Sequence, residues 1–74
     1  MKQLFPHIAI DSKIQFGKPV IAGTRVPVEI IVGNVAAGMT IEAVAEEYNL
    51  TKTDVLAALK YAAKLVAAET ILAR

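Results

Sequence analysis

Few side chains in this sequence can do chemistry, and their spacing narrows the choice further. His7 is the only histidine and cysteine is absent, so with scattered carboxylates no zinc ligand set can be assembled. Ser12 and His7 have no evident orienting acid, which leaves no Ser/His/Asp arrangement for nucleophilic catalysis. Gly17-Lys18 and Gly23-Thr24 set glycine beside a cation or a hydroxyl, but neither has P-loop spacing, and both read as turns. Glu46 and Glu47 are neighbours; on a helix they point about 100° apart and form an exposed face. The chain is therefore read as a non-enzyme, with no catalytic residue, metal site, cofactor or small-molecule substrate.

Binding chemistry remains. Thr53, Ala57, Lys60 and Lys64 recur at helical spacing and are expected to share one outward stripe, with Lys52 beside it. On DNA, Thr53 could donate to a base or phosphate and Ala57 could meet a thymine methyl, while Lys52, Lys60 and Lys64 contact phosphates. The competing reading is a solvated lysine face. The stripe holds no arginine, asparagine or glutamine, and eight basic against seven acidic residues give a net charge of only +1. Both features are weak for a nucleic-acid binder. The same segment carries two apolar stripes. Val55, Leu59, Ala62 and Val66 are expected to face the core. Tyr61, Leu65, Ala68 and Leu72, offset by about 120°, read as a seam for a protein partner or a second copy.

The elements that position these residues follow from punctuation. Before Pro27, the runs Ile8-Ala9-Ile10 and Val20-Ile21 lie between Gly- and Pro-rich turns and predict two or three short β strands. After it the pattern is helical. Pro27 suits a first helical turn, Val28, Ile31, Val32 and Val35 form one face, and Gly38 is a left-handed stop. Gly33 inside this helix is expected to mark the close approach of another element. Thr40 caps a second helix that buries Ile41, Val44, Ala45 and Tyr48, and Asn49 ends it. Thr51 and Asp54 resemble a capping box for a third helix of some 22 residues, about 33 Å long, whose end projects beyond the domain. Small Ala45, Asn49 in the turn and the cap at Thr40 match a helix-turn-helix unit over Thr40 to Leu59. The expected fold is mainly α: one domain over 1–74, a β/turn segment at 1–26 preceding a three-helix, homeodomain-like helix-turn-helix at 27–74.

A 74-residue chain is near the lower limit of independent stability. Yet it is 55% hydrophobic with a mean hydropathy of +0.51, more apolar surface than one small core encloses. A partner surface is the expected outlet. No apolar run approaches the roughly 18–20 residues of a membrane span, and Met1 to Lys13 lacks signal-peptide order, so a cytoplasmic protein is expected.

The segment Gly17-Lys18-Pro19-Val20-Ile21-Ala22-Gly23-Thr24-Arg25-Val26-Pro27-Val28 closely resembles the signature of the domain-of-unknown-function 433 family. The resemblance continues through Gly38-Met39-Thr40, Glu46-Glu47-Tyr48 and Ala57-Ala58-Leu59, covering residues 8–66. It implies a homeodomain-like three-helix fold and a VapB-type antitoxin against a PIN-type nuclease toxin, and it supplies no catalytic residue. With the helix-turn-helix and the apolar seam, the expected protein is a homodimeric antitoxin that binds operator DNA and autoregulates its operon; the alternative is a pure protein-interaction module without DNA binding. Family members often carry a proline and an extra residue between the tyrosine and the next leucine. Here Tyr48-Asn49-Leu50 is shorter and closer to an ordinary DNA-binding turn. Within the signature, Arg25 is the only arginine before the C-terminus, and its planar fork suits a carboxylate. It is expected to pair locally, with Glu29 or Glu46, or else with an acidic nuclease site in a toxin.

Overall fold

The computed structural model describes the backbone of residues 2–72 and the side chains of residues 2–69. A three-stranded antiparallel sheet in the order β1-β2-β3 precedes three helices. The strands are β1 (Lys2–Phe5), β2 (Ile8–Ile10) and β3 (Val20–Ile21). The runs at Ile8 and Val20 form strands as expected, with Ile8 opposite Ile21 and Ala9 opposite Val20. β1 adds an exposed outer strand; Pro6-His7 links it to β2, and His7 takes φ 68°. Proline followed by positive φ is the pattern of a type II turn.

The helices are α1 (Val28–Ala36), α2 (Ile41–Glu47) and α3 (Lys52–Leu72). Each boundary has a local cause. Pro27, placed by sequence inside the first turn, instead precedes it as an extended cap and bridges back to Val20. Gly38 at φ 110° ends α1, with Met39 N–H returning to the Asn34 carbonyl and Gly38 N–H to Val35. Asn49 at φ 55° ends α2 in the same way, through Leu50 N–H to the Ala45 carbonyl. The Thr40 hydroxyl accepts from Ala43 N–H at 3.0 Å. Thr51 and Asp54 form the expected capping box: Asp54 N–H donates to the Thr51 hydroxyl at 3.0 Å, and Thr51 N–H to the Asp54 carboxylate at 3.1 Å.

Ile8 and Ile21 from the sheet, Val28 and Ile31 from α1, Val44 and Ala45 from α2, and Val55, Ala57 and Ala58 from α3 make the core. Val32, Val35, Ile41, Tyr48 and Leu50 pack half-buried around it. Asn34 donates to the Tyr48 hydroxyl at 2.9 Å and ties α1 to the α2–α3 turn. Gly33 departs from expectation. It is exposed, and a Cβ built there meets nothing within 4 Å, so no element of the domain requires it to be glycine.

Candidate functional site

The face of α3 first proposed for DNA is largely engaged within the chain. Ala57 is only 6% exposed and belongs to the core, so it is withdrawn from the outward stripe. The cause is the hairpin of β1 and β2, whose Phe5, Pro6 and His7 stand across a cleft from Thr53, Leu56, Ala57 and Lys60. Phe5 meets the Tyr61 ring at 5.8 Å, and Lys64 lies over the Phe5 ring at 5.5 Å. Lys52 pairs with Glu42 at 3.1 Å. The Glu42 carboxyl is held below its ordinary value, first by its own backbone N–H and then by Lys52. Thr53 and Lys60 are exposed at the mouth of the cleft.

His7 also has a partner that spacing did not reveal. Its Nδ1 lies 2.9 Å from Asp54 Oδ1, so the hairpin is pinned to the first turn of α3. The separation of 47 residues is why no local pattern announces the pair. Burial is the largest single influence on Asp54 and raises its pKa. The hydrogen bonds from the Thr51 backbone, His7 and the Thr51 hydroxyl, with the His7 charge, together outweigh it and leave the carboxyl below its ordinary value.

The stripe of α3 expected to face the core does so over its first three positions, and the stripe expected to be a seam is exposed beyond Tyr61, at Leu65 and Ala68. Val55 is fully buried and Leu59 and Ala62 are half-buried, but Val66 is 61% exposed, so the stripe assigned to the core leaves it. At 100° per residue the buried and half-buried positions Ala57, Tyr61, Ala58, Ala62, Val55 and Leu59 span about 200°, centred near Ala58. Tyr61, Leu65 and Ala68 lie within or beside that arc and continue it past the end of the domain. Tyr61 is half-buried, Leu65 is 48% exposed and Ala68 is exposed. The side chain of Leu72 lies outside the described residues. All of residues 63–69 are exposed, which gives the projecting helix end that was expected.

Where α3 leaves the domain, an apolar cleft of about 380 Å³ opens between Pro19 and Val28 on one side and Tyr61, Ala62 and Leu65 on the other. Lys18 and Glu29 form its rim and pair at 2.8 Å. Lys18 thus occupies the carboxylate expected to bind Arg25. The Arg25 side chain is exposed and has no ion pair, with Glu29, Glu46 or any other of the described residues. Its backbone is fixed: the Gln15 side chain donates to its carbonyl at 3.2 Å, and the Thr24 hydroxyl bridges the Ile21 carbonyl and Val26 N–H.

Among the described residues no group of His, Cys, Asp or Glu could hold a metal ion, and no helix is long and apolar enough to cross a membrane. A family model described as "Protein of unknown function (DUF433)" matches residues 8–62. The chain belongs to the DUF433 family. The match takes in β2, β3, all of α1 and α2, and α3 to Ala62, so the hairpin's inner strand and every residue of the cleft except Leu65 fall within the DUF433 region. The crystal structure of Rv2018 from Mycobacterium tuberculosis resembles this DUF433 domain with a TM-score of 0.65 and 35% identity. The similarity covers 70% of this chain but only 24% of that one, so the fold is shared with one part of a longer protein. No curated protein matches the chain.

Proposed function

We propose that this DUF433 chain is a helix-turn-helix domain of the VapB antitoxin type, which acts by holding a protein partner, a PIN-type nuclease toxin, and does no bond chemistry. The observation that carries this reading is the projecting end of α3. It continues an apolar arc through Leu65 and Ala68 into solvent, beyond anything the domain covers. A helix presenting apolar residues on one side is a common recognition element, laid into a groove of its partner. The test is co-expression with a PIN-type nuclease toxin, taken from beside the chain's own gene where one is encoded there. Relief of growth arrest and a stoichiometric complex are expected, and Leu65→Glu with Ala68→Glu should abolish both while leaving the helical circular dichroism intact. Continued arrest in the presence of the folded parent chain refutes the antitoxin reading.

Operator binding is the second reading. It is favoured by the arrangement of α2, its Asn49 turn and α3, with Ala45 buried at the crossing and Thr53 and Lys60 exposed near the start of α3. Against it stand the low net charge and the lysines already engaged by Glu42 and Phe5. Fluorescence anisotropy with the upstream DNA and a scrambled control at two salt concentrations decides it. Phosphate contacts give a slope of about −0.9 per neutralised charge, and Thr53→Ala and Lys60→Glu should remove specific binding. Equal affinity for the two DNAs, or none at low salt, removes DNA from the function.

A further inference from the structure

We infer that two copies of this chain join about a two-fold axis, each seating Phe16 in the apolar cleft of the other and setting Arg25 against the other's Glu29. Phe16 is 98% exposed, the most exposed large apolar side chain among the described residues. It stands on an unusual support. Gln15, Phe16 and Gly17 all have positive φ, at 50°, 57° and 80°. A glycine takes this conformation freely, but a bulky side chain does so only under constraint. The constraint is a closed hydrogen-bond frame: Gly17 N–H to the Ile14 carbonyl at 3.0 Å, Lys18 N–H to the Gln15 carbonyl at 3.1 Å, and the Gln15 side chain to the Arg25 carbonyl. Strained backbone that presents a water-exposed aromatic ring is a cost to the isolated fold, and such strain concentrates at functional surfaces.

The cleft supplies the complement. Its walls of Pro19, Val28, Tyr61, Ala62 and Leu65 are almost wholly apolar, and 380 Å³ accommodates a phenyl ring. The ring is on the outside of its own molecule, so its own cleft is not where it rests. Yet Phe16 lies only two residues from Lys18 on the cleft rim. Knob and socket are thus neighbours along the chain, and a two-fold axis between them lets both pairs engage in a single closed contact, as an isologous interface requires. Charge agrees. Arg25 is tethered to the Phe16 turn through Gln15 and has no ion pair among the described residues. Glu29 sits on the rim with its side chain 61% exposed and can accept from a guanidinium while keeping Lys18. An aromatic ring and an arginine are the residue types that most often dominate binding energy. A net charge of +1 per chain sets little repulsion against association. Leu65 lines the cleft and also begins the helix end assigned to the toxin, but Ala68 lies outside the cleft, and the assembly rests on Phe16 and Arg25, which the antitoxin reading does not use.

Sedimentation equilibrium of the full chain, from micromolar to submillimolar loading, tests the inference. The parent should self-associate reversibly to a dimer. Phe16→Gly should be monomeric while keeping the parent's helical circular dichroism, because glycine removes the ring and takes positive φ without strain; Phe16→Asn, which also tolerates positive φ, guards against an unexpected folding defect. Arg25→Glu should weaken the dimer roughly tenfold or more, and Arg25→Glu combined with Glu29→Arg should recover part of the loss. A parent chain that is monomeric at every loading overturns the inference, and the knob then belongs to a different protein. A dimer that survives Phe16→Gly unchanged overturns it as well and places the interface elsewhere.

Discussion

Replacing Asp54 by asparagine should destabilise the domain at neutral pH, and the penalty should vanish in acid. Asp54 does three things at once. It accepts from Thr51 N–H, it places a negative charge in the first turn of α3, and it holds His7 and with it the hairpin. Asparagine keeps an acceptor for Thr51 and loses the charge. A charge in a first helical turn is worth about 0.3–1 kcal/mol. The contact to His7, whose side chains are 43% and 20% exposed, adds about 0.2–1 kcal/mol where the imidazole is protonated. A loss of about 1 kcal/mol in a domain of this size lowers Tm by roughly 4–8 °C. The Asp54 pKa is depressed in the folded chain, so its contribution is fully present above the ordinary aspartate value of 3.8 and is lost as pH falls through the lower folded value. Thermal melts of parent and Asp54→Asn by circular dichroism, from neutral pH down to well below 3.8, should therefore converge at the acid end. A gap that is constant with pH, or absent at neutrality, refutes the assigned role of the carboxylate.

Other substitutions test the remaining assignments. Gly33→Ala should stabilise the chain by up to about 1 kcal/mol, because α1 is helical there and the new methyl meets nothing, and an upward shift in chemical denaturation midpoint checks it. Ile31→Ala removes a fully buried side chain at the centre of the core and should cost about 2–5 kcal/mol, enough to leave much of so small a domain unfolded by circular dichroism. Asn49→Ala puts an alanine at φ 55° and should cost about 1–2 kcal/mol in the same melts, while Asn49→Gly should be close to neutral.

The helical half of the fold is legible because each of its signals is local. Thr40, Gly38, Asn49 and the Thr51–Asp54 pair act on backbone within a few residues, so their types and spacing suffice to place α1, α2 and the start of α3. The sheet is less legible. Lys2–Phe5 lacks the β-branched run that marks β2 and β3, and it is a strand because β2 offers an edge for pairing. What depends on that strand was hidden too: the His7–Asp54 pair, the Lys64–Phe5 contact and the burial of Ala57 all require the hairpin to fold over α3. Phe16 gives no sequence signal stronger than its place before Gly17. Nothing in a Gln-Phe-Gly run announces two successive non-glycine residues at positive φ.

The buried arc of α3 is wider than the stripe expected for it, because Ala57 and Tyr61 join Val55, Leu59 and Ala62, and this changes what the surface can bind. An alanine-rich helix fits several apolar stripes equally well, because alanine is at home both in a core and in water. The choice is made by the elements packed on either side. α1 and α2 pack against α3, while the hairpin stands over Ala57, and the centre of the buried arc falls near Ala58. The hairpin also draws Lys64 onto Phe5, and Leu65 and Ala68 continue the buried arc past the edge of the domain. Glu42 takes Lys52, and Glu29 takes Lys18. Of the cations expected to meet phosphate, Lys60 alone has neither an ion pair nor a ring contact among the described residues. The surfaces left over are an apolar cleft, an apolar helix end and a displayed phenylalanine beside an arginine. Protein surfaces match such features by burying them, and phosphate backbones do not.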